Sequence, residues 1–335
     1  MKKLMILGVF ILMACLMAAC GNSEDGSASG AEKSTLRYGH SAPPTDPGGV
    51  IADKIAADTA EATGGEVAIE VFPSGQLGGE VEIVEQLRSG SVDMAFVTGG
   101  ALSNFVPDIA VLDMPFLFDD LDHAKKVLNG EVGNQIKEKA AEEGFQILGF
   151  YDYGEGHLAN TKQEIKEPGD LKGLQMRTLE NDIFMDTFKA LGADPVPMPF
   201  PEVYSAIQQG VVDGTDPVNV AMIGGKLFEV TDYYTEISLN YRSGILLMNK
   251  DKFDGLEEET KTELETVVQD SIDHYHSVVY PEYEESVKET LTENDVKIVP
   301  IEDVDREAFV EAVQPVYEQH EARFGDLIER IQNEK

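Results

Sequence analysis

Apolar residues recur along this chain with two periods that alternate. TLRYG (Thr35–Gly39) and EVAIEVFP (Glu66–Pro73) repeat every second residue, the mark of half-buried strands. Between them, VIADKIAADTAEATGG places Val50, Ile51, Ile55 and Ala56 at helical spacing and stops at Gly64-Gly65. GGEVEIVEQLRSGSVDMAFVTGG then predicts a helix, a stop at Gly90 and a strand over Met94–Val97. Farther on, a strand over Leu174–Arg177 puts Leu174 and Met176 on one face, Gln175 and Arg177 on the other. Arg177 ends that strand where a helix is about to begin. A long helical stripe follows from Leu256 to about Leu291, carrying Leu264, Val267, Val268, Ile272, Tyr275 and Val279, with a kink expected at Pro281. VKIVPI (Val296–Ile301) predicts a short strand, and Asp305 to Ile331 one amphipathic helix.

Strands that alternate with helices predict an α/β fold with largely parallel sheets. EIVEQLRSGSVD (Glu82–Asp93) returns as EVYSAIQQGVVD (Glu202–Asp213) at a constant offset of 120 residues, so two similar lobes are expected. At 335 residues the chain exceeds the usual size of one core, which agrees. Ligands in open α/β sheets sit beyond the carboxyl ends of strands. The loops Gly39–Thr45, Val97–Asn104, Arg177–Asn181, Met198–Glu202 and Asp213–Asn219 occupy those positions.

The amino terminus has a different pattern. Lys2 and Lys3 precede an apolar run to Ala19, and Met17-Ala18-Ala19-Cys20 is similar to a lipoprotein cleavage box. Residues 1–19 are expected to be a lipoprotein signal peptide and 20–34 a Ser-, Gly- and Ala-rich flexible tether. Cys20 would then carry the lipid that holds the protein on the outer face of the cell membrane. Cys15 would leave with the signal, so no disulfide framework or cysteine metal site is expected.

The formal charge is −36, which argues against nucleic acid as a partner. No Gly-x-Ser-x-Gly, His-Glu-x-x-His or P-loop pattern is found, and His274 and His276 face different sides of a helix. An enzyme is not expected, and neither a metal nor a cofactor.

LKGLQMR (Leu171–Arg177), the run Met185–Gly214, and GGKLFEVTDYYT (Gly224–Thr235) resemble the solute-binding proteins of tripartite ATP-independent periplasmic (TRAP) transporters. Val71–Phe96 and LDMPFLFDDLDHA (Leu112–Ala124) fit the same family. The resemblance implies a two-lobed, periplasmic-binding-protein-like (Venus flytrap) fold with a long helix linking the lobes. Lobe I would hold residues 35–154 and about 243–285, lobe II residues 155–242 and about 286–335. It also implies capture of an organic acid and delivery to a permease driven by an ion gradient. Delivery to a sensor kinase or chemoreceptor is the alternative, and a secreted enzyme a third.

By that resemblance Arg177 makes a bidentate salt bridge to the ligand carboxylate, a geometry lysine does not match. Phe200 would line the cleft, with Thr98 contributing from the first lobe and His40 a weaker candidate. The stretch GEGHLAN (Gly154–Asn160) lacks the family's second cleft arginine. His157 either replaces it or caps a strand. VDGTDP lacks the usual ligand-contacting amide, so Asp216 or Asn219 would stand in, and Glu180 and Asp216 would accept hydroxyls. These departures favour a sugar acid, hydroxy acid or 2-oxo acid over a dicarboxylate, with a zwitterion still open. Cys20→Ser is expected to release the protein from the membrane fraction with ligand binding intact. Wild type that partitions to the soluble fraction without detergent would contradict the lipid anchor.

Overall fold

The computed structural model describes residues 34–334; the signal segment, Cys20 and the tether up to residue 33 lie outside the described residues. The strands are β1 (Ser34–Gly39), β2 (Val67–Phe72), β3 (Met94–Thr98), β4 (Phe145–Glu155), β5 (Leu158–Asn160) and β6 (Gln175–Thr178). They continue as β7 (Asp194–Pro197), β8 (Gly214–Thr215), β9 (Tyr233–Thr235), β10 (Tyr241–Asn249) and β11 (Lys297–Val299). One sheet has the order β2-β1-β3-β10-β4, the other β11-β9-β5-β8-β6-β7.

Both sheets are mixed, where largely parallel ones were expected. β10 runs antiparallel to β3 and β4, and β5 antiparallel to β8 and β9. The cause is the crossover. The chain leaves the first sheet through β4 into β5 and returns through β9 into β10, so the outgoing and returning strands must oppose each other. Between the sheets they stay bonded: Gly156 N donates to Asn240 O and Leu239 N to Gly156 O, both at 2.8 Å. A Cβ on Gly156 would lie 2.5 Å from Asn240 Oδ1, so the two segments approach this closely only at a glycine.

The helical connection also spans both sheets. Glu258–His274 packs on the Pro47–Ala62 helix and β4, while Tyr280–Glu293 packs on Asn219–Gly224 and β11. Pro281 does not break it. A π turn over Tyr275–Val279 precedes the proline, which lacks an N–H and crowds the carbonyl four residues back. The single helix expected at the carboxyl end is three: Arg306–Ala312, Gln314–Phe324 and Leu327–Asn333. Pro315 opens the second, and Gly325 at φ 58° ends it. These helices do not belong to the second sheet alone. Tyr317 Oη donates to Pro115 O at 2.7 Å on the first side, and Arg323 Nη1 to Asp182 Oδ2 at 2.7 Å on the second.

The repeated segment is the same joint built twice. Helices Glu80–Arg88 and Phe200–Gln208 end at Gly90 (φ 75°) and Gly210 (φ 70°), and Ser91 N→Gln86 O matches Val211 N→Ala206 O. The aspartate that follows pins a neighbouring strand: Asp93 accepts from Arg37 N at 2.8 Å, Asp213 from Gln175 N at 2.9 Å. Gly214 then lets β8 sit against β5, because a Cβ there would lie 2.2 Å from Ala159 O. Gly214→Ala is therefore expected to lose about 3 kcal/mol of stability in chemical denaturation, the upper range for overpacking against fixed backbone. An unchanged unfolding midpoint would contradict the fit of this joint.

Candidate functional site

The carboxyl ends of β3 and β6, the turn after β8, and the first residues of two helices converge between the sheets. They enclose a cavity of ≈ 60 Å³. One water needs about 10–15 Å³, so this space suits a small organic molecule rather than a single water.

Arg177 is the next-to-last residue of β6, with β7 on one side and β8 on the other. It lines the cavity and is only 7% exposed. Its Nε and Nη2 donate to Met198 O at 3.0 and 2.9 Å, which fixes the plane of the guanidinium. A guanidinium has five N–H donors, so the Nη1 side and one Nη2 hydrogen remain. No described carboxylate lies within ion-pair distance of it. Burial pulls its pKa down to about 10, which still leaves it charged at neutral pH.

Arg242 in β10 is a second cavity arginine that the sequence reading missed. All nine residues of β10 are buried, so the strand has no alternation to reveal it. The signal available was a lone guanidinium in an otherwise uncharged run, YRSGILLMN. Arg242 is ion-paired to Asp216, which lines the same cavity.

Two further acids face the cavity. Glu80 opens the Glu80–Arg88 helix, accepting from Ser41 Oγ at 2.9 Å, Thr98 N at 3.0 Å and Thr98 Oγ1 at 2.6 Å. Thr98 thus lines the cavity with its hydroxyl hydrogen already committed. Glu180 is half-buried, and burial, followed by the charge of Glu82, raises its pKa. Phe200 opens its helix and lines the cavity as expected of an aromatic wall; its ring needs Gly225, where a Cβ would lie 2.7 Å from Cζ.

Three candidates lie elsewhere. His157 is not among the lining residues. Its Nδ1 accepts from Ile237 N and Ser238 N at 3.2 and 3.4 Å, and burial pulls its pKa down to about 4, so it serves the crossover as a neutral ring. Asn219 is spent between Tyr234 Oη, which donates to it, and Glu284 Oε2, 2.8 Å from its amide. His40, the residue after β1, is fully buried with its ring near that of Tyr38, and burial pulls its pKa down to about 4.

The family model for bacterial extracellular solute-binding proteins, family 7, matches residues 38–323. The chain belongs to this family. It is 32% identical over 288 residues to the 2,3-diketo-L-gulonate-binding periplasmic protein YiaO of Escherichia coli, covering 86% of this chain and 87% of that one. A TRAP periplasmic solute-binding protein of Polaromonas sp. JS666, solved bound to D-erythronate, superposes with a TM-score of 0.86 at 31% identity, covering 90% and 98% of the two chains. One from Sulfurospirillum deleyianum with bound succinate gives 0.83 at 30% identity, covering 90% and 99%. The α/β architecture here is thus the two-lobed periplasmic-binding-protein fold.

In this solute-binding protein the lobes touch directly beside the cavity. Asn181 caps its own helix through Phe184 N at 3.0 Å, and its amide reaches across to Asp113 Oδ2 at 2.9 Å and Ser103 Oγ at 3.2 Å. Asn104 donates to Glu180 O at 2.9 Å from the first lobe. Gly100 makes room, since a Cβ there would lie 3.0 Å from Leu179. Burial pushes Asp113 up to about 7, opposed by Arg242, Asn181 and Arg323 and reinforced by Asp182. Its folded pKa is above its unfolded value of 3.8, so its stabilising contribution is full below that value and is lost as pH rises through about 7. Asp113→Asn is therefore expected to gain stability relative to wild type as pH rises from about 4 to about 7 and to hold that gain above it. A difference that stays constant across that range would show that Asp113 does not titrate there.

Proposed function

We propose that this chain is the extracytoplasmic binding component of a TRAP transporter, and that it holds the carboxylate of a hydroxylated organic acid on Arg177. One observation carries the reading: a buried guanidinium that lines the cavity, fixed in plane by Met198 O, with donors left over and no carboxylate partner among the described residues. A planar fork in a low-dielectric cleft pairs with a carboxylate far more strongly than an exposed one does. Phe200 forms the apolar wall, and Glu180 and Asp216 accept ligand hydroxyls. Sugar acids, hydroxy acids and 2-oxo acids fit such a lining. The relatives' D-erythronate and 2,3-diketo-L-gulonate are of this kind, while the relative with succinate shows that the fold also takes dicarboxylates.

The bound acid passes to a membrane permease driven by an ion gradient. Cys20 carries the lipid that keeps the protein at the outer face of the membrane, with residues 20–34 as the tether, whose last residue, Ser34, is already in β1. The lobes divide at the crossover, near residue 155 outward and 242 on the return, where the two sheets exchange the chain. Binding without turnover is the reading that the family and its solved relatives, described as solute-binding proteins, support.

Arg177→Lys tests the reading. It is expected to weaken carboxylate binding by about 2–4 kcal/mol in titration calorimetry, the range for a buried charge-assisted contact, with the unliganded melting temperature little changed. Unchanged affinity would remove Arg177 from the ligand.

A further inference from the structure

Arg242 and Asp216 form a pair with two ends, one spent and one open. Arg242 Nη2 donates to Asp216 O at 3.1 Å and, more closely, to Asp216 Oδ2. Its Cζ lies 4.0 Å from the centre of the Phe184 ring, so stacking fixes the guanidinium as well. Arg242 is 3% exposed and Asp216 2%. Yet Arg242 Nη1 and Asp216 Oδ1 are buried without a hydrogen-bond partner, and both residues line the cavity that Arg177 lines. Buried polar atoms left unmet are costly, so a donor and an acceptor open in one pair call for a group that supplies both.

A hydroxyl does so, accepting from Nη1 while donating to Oδ1. A carboxylate at neutral pH only accepts. It would gain from Nη1 but would set its charge against Asp216. The pair is formally neutral, so a second arginine in the cavity does not make a second carboxylate site. Thr215 extends the same lining, with its Oγ1 also buried and unpartnered.

We propose that the Arg242–Asp216 pair is a specificity element that reads a ligand hydroxyl and rejects a second carboxylate. The inference rests on Arg177 as the carboxylate anchor. It assigns the cleft to hydroxylated monocarboxylates through a residue outside the family motifs that point to Arg177.

D-Erythronate and succinate test it as a four-carbon pair, one carrying hydroxyls and one carboxylate, the other two carboxylates. Titration calorimetry of the wild type is expected to show D-erythronate bound about tenfold or more tightly than succinate, since a site built for a hydroxyl discriminates against ligands lacking one. Asp216→Asn removes the charge that repels the second carboxylate, and the preference should fall towards parity. Because that variant strands the Arg242 guanidinium, Asp216→Asn/Arg242→Gln is measured beside it; with both charges of the pair removed together it should fold, and it too should lose the preference. Wild type that prefers succinate, or a double variant that keeps the wild-type ratio, would overturn the proposal. Asp216→Asn that weakens both acids equally would also overturn it, leaving Asp216 as a structural support of the cleft that does not discriminate between ligands. Arg177→Lys separates the two readings, because it should weaken both acids alike. Should wild type bind neither acid, the carboxylate reading falls and this inference with it.

Discussion

A guanidinium removed from water must be held in place and must find negative charge or hydrogen-bond acceptors, and Arg177 imposes that demand on the cleft. Its position follows from three strands in register. Arg177 lies between Val196 of β7 and Thr215 of β8, so the sheet fixes its backbone before any side chain acts. Met198 O then fixes its plane from the turn that leads to Phe200. Asp213 holds the start of β6, and Gly214 keeps β8 close to β5. Residues far apart in the chain thus serve one side chain, and the VDG sequence is explained by strand placement rather than by ligand contact.

The second constraint is that the chain must pass between the lobes without losing its strand pairing. Among the described residues the chain crosses between them through β4 into β5, through β9 into β10, through the helix with the π turn, and again in the carboxyl-terminal helices, where Ile331 O lies 2.8 Å from His123 Nε2. The first two remain hydrogen-bonded at Gly156 and Asn240 through the crossover. Opposite this joint, Asn181 and Asn104 make contacts that exist only when the lobes meet. Apolar contact accompanies them, with Gly100 lying against Leu179 and Phe184, and under the proposed function a ligand touching both lobes would favour the closed form by its differential affinity. Closure in turn lowers the dielectric around Arg177 and strengthens its pairing.

Much of this was legible in the sequence. The echo at an offset of 120 residues marks two copies of one helix–glycine–strand joint, and both glycines adopt the left-handed conformation that the joint requires. Arg177 was legible because it ends a strand whose motif resembles a known family. Arg242 was not, because β10 is buried on both faces and shows no period. The sequence left His157 open between a ligand contact and a strand cap, and placed Asn219 in a ligand loop; His157 Nδ1 is taken by Ile237 and Ser238, and the Asn219 amide by Tyr234 and Glu284. The partners that decide a polar residue's role lie tens of residues away in sequence, beyond the reach of local pattern. Pro315 and Gly325 were visible breakers, yet the apolar stripe across them outweighed both in a reading by period alone.

The central claim is that pairing of a carboxylate with Arg177 closes the lobes. X-ray scattering with the bound acid and with its methyl ester tests it most directly, since the ester keeps the skeleton and hydroxyls but not the charge. The account predicts that the acid reduces the radius of gyration and that the ester, at the same saturating concentration, leaves it at the unliganded value. Equal compaction by acid and ester would contradict it.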